Sequence, residues 1–179
     1  FKEISYLLSK KIKKLSPQQF KIKSPIETGK TFKANAELKA NYFSKFTSLP
    51  VISDDSGLCI KALEGRPGVL SARWAKKYGS FNNAMRVILN KMKKKLNRSA
   101  TFVCSLCFKK ANGKKITVVG KIRGSISIKI KGSKGFGYDP IFIPNLSTVT
   151  FGQMSKTRKI TMDHRYVAFK KLKKKIKAL

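Results

Sequence analysis

Val51-Ile-Ser-Asp-Asp-Ser-Gly-Leu58 runs from apolar or small residues into two adjacent carboxylates, a hydroxyl and a glycine. The pattern predicts a buried strand that ends abruptly in a polar turn. Its carboxylates weigh heavily because they are rare: the chain has four Asp and four Glu against 41 Lys plus Arg. Half of the aspartates stand side by side at this predicted strand end, where open α/β sheets bind ligands. Two like charges so close repel unless a cation or protons lie between them, so a divalent metal is the first candidate partner.

Around this stretch, 179 residues with 41% hydrophobic content suffice for one domain over 1–179 with a buried core. No apolar run reaches the roughly 18 residues of a membrane span. No charged-then-apolar leader opens the chain, which points to the cytoplasm. The three cysteines do not make a disulfide framework. Cys104 and Cys107 are three apart in an apolar run, so in a strand they face opposite sides and read as core residues, not as a metal or redox pair. The net charge of +33 suggests a polyanionic partner, but only seven of the 41 basic residues are Arg and the Lys are scattered. Without aromatic platforms on a sheet, this reads as compositional drift, and nucleic acid is an unlikely partner.

Outward from the central stretch, Ile4, Leu7, Leu8 and Ile12 predict an opening amphipathic helix, and Phe20 to Ile22 a short strand. Thr31 can cap a helix over Phe32 to Phe46. Leu58, Ile60 and Ala62 alternate as in a strand, and Glu64-Gly-Arg-Pro-Gly68 is a tight turn. A helix follows near Asn82 to Lys95, with Met85, Ile88, Leu89 and Met92 inward. Ala100 to Phe108 and Lys115 to Ile122 form a hairpin around Asn112-Gly113, Ser155 caps a short helix, and His164 to Ile176 is a last basic helix. Strands mixed with helices argue for an α/β or α+β domain.

Three further polar groups stand out. Glu37 and Lys39 lie beside Asn35 on the helix after Thr31. Lys131-Gly-Ser-Lys-Gly-Phe-Gly-Tyr-Asp139 offers backbone amides that could cradle a phosphate or simply form a turn. Lys159 is followed by His164-Arg165.

Ser53-Asp-Asp-Ser-Gly-Leu58, Gly65-Arg-Pro-Gly68 with Ser71-Ala-Arg73, Gly135-Phe-Gly-Tyr-Asp-Pro140 and Asp163-His-Arg165 occur in this order, preceded by Glu27-Thr-Gly29, Thr31-Phe32 and Asn35-Ala36. Together they resemble the inosine triphosphate pyrophosphatase family of Ham1 or RdgB type, over nearly the whole chain. The resemblance implies an elongated α/β fold: a long mixed sheet flanked by helices, with two lobes and a central nucleotide cleft. It also implies a Mg²⁺-dependent cytoplasmic homodimer that hydrolyses non-canonical purine nucleoside triphosphates such as dITP, ITP and XTP to the monophosphate and pyrophosphate. By motif, Asp55 matches the proposed general base and a metal ligand, with Asp54 in support. Ser56, Lys39, Phe136, Gly137, Tyr138, Asp139, Lys159, His164 and Arg165 match substrate-binding positions.

Departures from the family pattern are local. Its first strand and Ser/Thr-x-Asn-x-x-Lys phosphate loop would lie before Phe1. Its metal-binding Glu is here Ala34, and Glu37, one turn later, is the expected substitute. Ile160 and Asp163 stand where Asn and Ser are usual. A basic nucleic-acid-binding protein and a Maf-type nucleotide pyrophosphatase are the alternatives; Gly135-Phe-Gly-Tyr-Asp139 and Asp163-His-Arg165 speak against the second.

Overall fold

Residues 2–177 are described by a computed structural model. Phe1, Ala178 and Leu179, which the expected domain over 1–179 takes in, lie outside the described residues. Helix α1 (Lys2–Leu7) buries Ile4 but stops before Leu8, and Ile12 is 51% exposed. The strand expected at Phe20 to Ile22 is instead the end of a 3₁₀ turn over Pro17–Phe20. Pro17 starts that turn, the Gln19 side chain accepts the Ser16 N–H at 2.7 Å, and Lys21 closes it in the left-handed region at φ 55°. These local bonds outcompete a strand that has few apolar side chains to bury.

Helix α2 (Phe32–Phe43) begins where Thr31 Oγ1 accepts the Ala34 N–H at 3.1 Å. Strand β1 (Val51–Ile60) does not end at the aspartates but carries them in its middle. Ser53, Asp55 and Gly57 are buried on one face, and Leu58 and Ile60 on the other. Ser53 Oγ donates to the Ala36 carbonyl of α2 at 2.5 Å, so a polar face stays paired without breaking the strand. Helices α3 (Ser71–Lys77) and α4 (Phe81–Lys91) follow, the latter capped by Ser80. Strands β2 (Ser99–Lys109) and β3 (Lys115–Ile126) turn through Asn112-Gly113, where Gly113 adopts φ 85°. Strand β4 (Phe142–Pro144) pairs antiparallel with β3, Ser125 opposite Ile143. Helices α5 (Lys156–Ile160), capped by Ser155, and α6 (His164–Lys177) complete the chain. The sheet has the order β1-β2-β3-β4 and, with its flanking helices, gives the expected α/β architecture. No helix among the described residues is long and apolar enough to cross a membrane.

The chain forms two compact units: the first holds residues up to Asp55, Cys104–Gly120 and the part from Arg165 on, the second Ser56–Val103 and Lys121–His164. The first is built on Ile4, Cys104, Leu106, Val118, Ala168 and Leu172, with Ala36, Ala40 and Cys107 as a separate cluster. Cys104 and Cys107 thus belong to different cores, as strand alternation requires, and both are fully buried thiols outside any disulfide. The second unit packs Leu58, Ile88, Phe102, Phe142 and Phe151. Each such side chain contributes about 1.5–3 kcal/mol by leaving water.

Candidate functional site

In the first unit, α2 and β1 bring four polar side chains together. One helical turn separates Asn35 from Lys39, so both lie on one face of α2. Asn35 is fully buried; its Nδ2 donates to Asp55 Oδ2 at 3.0 Å and its Oδ1 accepts the Gly29 N–H at 2.7 Å. A Cβ on Gly29 would lie 2.5 Å from that Oδ1, so only glycine allows the approach. Lys39 Nζ stands 3.8 Å from Asp55 Oδ1 and pairs closely with Glu27. Asp55 is only 6% exposed, and this burial pushes its carboxyl from 3.8 up to about 6. Lys39 and the Asn35 bond pull it down, while Glu27 and Asp54 push it up. The result is a carboxylate ionised at neutral pH yet able to take a proton.

The other expected carboxylates are engaged elsewhere. Asp54 Oδ2 lies 3.4 Å from Arg165 Nε, and Arg165 Nη1 lies 3.1 Å from Glu3. Glu37 accepts from Thr117 Oγ1 at 2.8 Å and pairs with Lys115 at 3.4 Å and Lys33 at 3.9 Å. Burial raises the Glu37 carboxyl, but Thr117 and the lysines outweigh it and hold it below its ordinary value. The structure therefore gathers Asp55 with Lys39, Asn35 and Glu27, while Glu37 faces β3. Glu27 is the acidic member that sequence reasoning assigned no role. Its only signal was its place in the Glu27-Thr-Gly29 motif, since no local spacing links it to Asp55.

In the second unit, Asp139 organises the glycine loop. Its Oδ2 accepts the Phe136 N–H at 2.8 Å and the Lys159 ammonium at 2.7 Å, both carboxylate and ammonium being buried. Gly135, at φ 74°, makes room: a Cβ there would lie 2.2 Å from that same oxygen. With the Phe136 amide on Asp139 and the Lys134 amide on the Gly152 carbonyl at 2.8 Å, these loop donors are spent within the protein instead of on a phosphate. Phe136 is 49% exposed, and Lys159 Nζ sits 5.0 Å from its ring centroid. Tyr138 is buried; its hydroxyl donates to the Ser71 carbonyl at 3.0 Å, and burial pushes its ionisation up. Its ring meets Phe81 edge-on beside Gly137. His164 is buried and stacks on Phe102, rings 4.8 Å apart and 9° from parallel. Ser56 follows Asp55 in β1.

Among the described residues no three His, Cys, Asp or Glu side chains gather to hold a metal ion. A fully protein-caged cation does not fit this chain. Mg²⁺ needs less, since it uses one or two carboxylates and takes its other oxygens from water and phosphate. Asp55 and Glu27 fit that requirement: Asp55 is desolvated with its charge only partly offset, and Lys39 contacts both carboxylates.

The sequence matches the Ham1 family over residues 1–175, and the chain belongs to that family. It is 39% identical over 173 residues to a dITP/XTP pyrophosphatase of Caulobacter vibrioides, covering 96% of this chain and 89% of that one. With a dITP/XTP pyrophosphatase of Dictyoglomus thermophilum it shares 42% over 178 residues, 96% and 86% of the two chains. The structure of a HAM1 protein from Coxiella burnetii superposes with a TM-score of 0.89 at 31% identity, covering 99% of this chain and 92% of that one.

Proposed function

We propose that this chain is a nucleoside triphosphate pyrophosphatase: with Mg²⁺ it hydrolyses non-canonical purine nucleoside triphosphates (dITP, ITP and XTP) to the monophosphate and pyrophosphate. The observation that carries the reading is Asp55, buried, tuned to about 6 and held by Asn35 and Lys39. Asp55 accepts the proton of the water that attacks the α-phosphorus, a step that needs a base near neutral pH within reach of that water. Asp55, with Glu27 beside it, would hold Mg²⁺, which when bound would supply charge neutralisation on the phosphates. Lys39 offsets the charge of the two carboxylates and of the leaving pyrophosphate. Asn35 fixes the rotamer of Asp55, so the base need not reorganise at the moment of attack.

Base recognition falls to the remaining motif residues. The exposed ring of Phe136 offers a stacking face for a purine, and the Asp139–Lys159 pair holds its loop. Ser56 contacts the substrate from the strand that carries Asp55. His164 and Arg165 donate to a 6-oxo group, whereas the 6-amino group of adenine would set donor against donor. Asp54 and Glu3 orient Arg165 for that role. The homodimeric, cytoplasmic setting belongs to the same reading and is checked by sedimentation and cell fractionation. The deciding experiment is a panel of nucleoside triphosphates with Mg²⁺, scored by pyrophosphate release. Turnover of dITP, ITP and XTP at least about 100-fold above ATP, abolished in Asp55→Asn, is expected; equal turnover of ATP, or an active Asp55→Asn, would sink the reading.

A further inference from the structure

A pocket of about 530 Å³ opens in the second unit, lined by Cys59, Lys61, Ser99, Thr101, Arg123 and Asn145 among others. Strand alternation puts it on the side of the sheet turned from the core. Leu58, Ile60 and Phe102 are buried in that core, while Cys59, Ser99 and Thr101 take the other face. Five of these side chains donate hydrogen bonds, and none is a carboxylate. Among the described residues no hydrogen bond or ion pair engages any of those five side chains, in contrast to Arg98, which is spent on the Ile126 and Ser127 carbonyls. Asn145 is tied in place by its own N–H on the Arg123 carbonyl at 3.0 Å.

We propose that this pocket binds a small phosphate-bearing anion of the polyphosphate class, with Arg123 and Lys61 supplying charge and Thr101, Ser99 and Asn145 supplying neutral donors. Unspent donors around a concavity, without an acidic acceptor, suit an acceptor-only ligand, and the planar fork of Arg matches phosphate oxygens. The volume falls in the range of small-molecule pockets, which favours a compact anion. Basic residues abound in a chain of net charge +33, but scattered lysines do not by themselves gather hydroxyls and an amide around one cavity. The site does not depend on the pyrophosphatase reading.

Cys59 reports on the pocket, because Cys104 and Cys107 are fully buried. Alkylation of the intact protein by iodoacetamide at pH 9, followed by mass spectrometry, measures its accessibility. Saturating inorganic tripolyphosphate should slow the reaction about tenfold or more in the wild type, and equally in Asp55→Asn, while NaCl at the same ionic strength should not. Protection should vanish in the Arg123→Gln/Lys61→Gln variant and weaken in Thr101→Val, all outside the core. Unslowed alkylation in the wild type would overturn the site, and equal protection in Arg123→Gln/Lys61→Gln would overturn it in favour of diffuse attraction to a basic surface. A short RNA that protects Cys59 at lower phosphate concentration than tripolyphosphate would overturn the choice of a compact ligand.

Discussion

Asn35 donates to Asp55 at 3.0 Å across 20 residues of sequence, and both side chains are buried. The same amide holds Gly29 from its other end, so one residue joins the Glu27-Thr-Gly29 turn, helix α2 and strand β1. Replacing it therefore changes two polar partners at once.

Asn35→Ala should lower stability by about 1–3 kcal/mol, the cost of leaving buried partners unsatisfied. Because the Asn35 bond pulls the Asp55 carboxyl down, its loss should also move the acid limb of the pH–rate profile upward. Chemical denaturation and kcat/KM against pH check the two effects; an unmoved acid limb would show that Asn35 does not act on Asp55.

Asp55 itself should make the fold less stable at neutral pH than in acid. Burial holds its folded value near 6, above the ordinary 3.8, so between these values the folded chain keeps a proton that the unfolded chain has released. The contribution to stability is full below about pH 4, falls as pH rises to about 6 and stays low above it, a loss of about 3 kcal/mol. Asp55→Asn should thus raise the melting temperature at pH 7.5 and not at pH 4. Thermal denaturation at both pH values decides, and a variant less stable than the wild type at pH 7.5 contradicts the assignment.

Lys159→Met should destabilise the second unit by about 3–5 kcal/mol, because the buried Asp139 carboxylate loses its charge partner. Pairing it with Asp139→Asn should recover part of that loss. Urea denaturation of the single and double variants measures the coupling; purely additive losses would refute it.

The acidic partner of Asp55 is expected to be Glu27. Glu27→Gln should raise the Mg²⁺ concentration needed for half-maximal activity about tenfold or more, whereas Glu37→Ala should leave it unchanged and cost about 1 kcal/mol through Thr117 and Lys115. Mg²⁺ titration of both variants separates them, and the reverse order would restore Glu37 to the metal site.

Local chemistry was legible from the chain alone. Thr31 and Ser155 each cap a helix with a hydroxyl at its start, Asn112-Gly113 turns a hairpin, and Met85, Ile88 and Met92 share one buried face. These features depend on neighbours within a few residues, as does the Asp54-Asp55 pair that first suggested a cation. Tertiary structure alone decided what the charges do. Strand β1 runs through its aspartates because α2 satisfies Ser53 and Asp55, and Glu37 turns to β3 because Thr117 and Lys115 lie there. Glu27 joins Lys39, and Asp139 joins Lys159, across 12 and 20 residues. A charged side chain takes its meaning from burial and from the partner that folding brings to it, and neither is written in the spacing of the sequence.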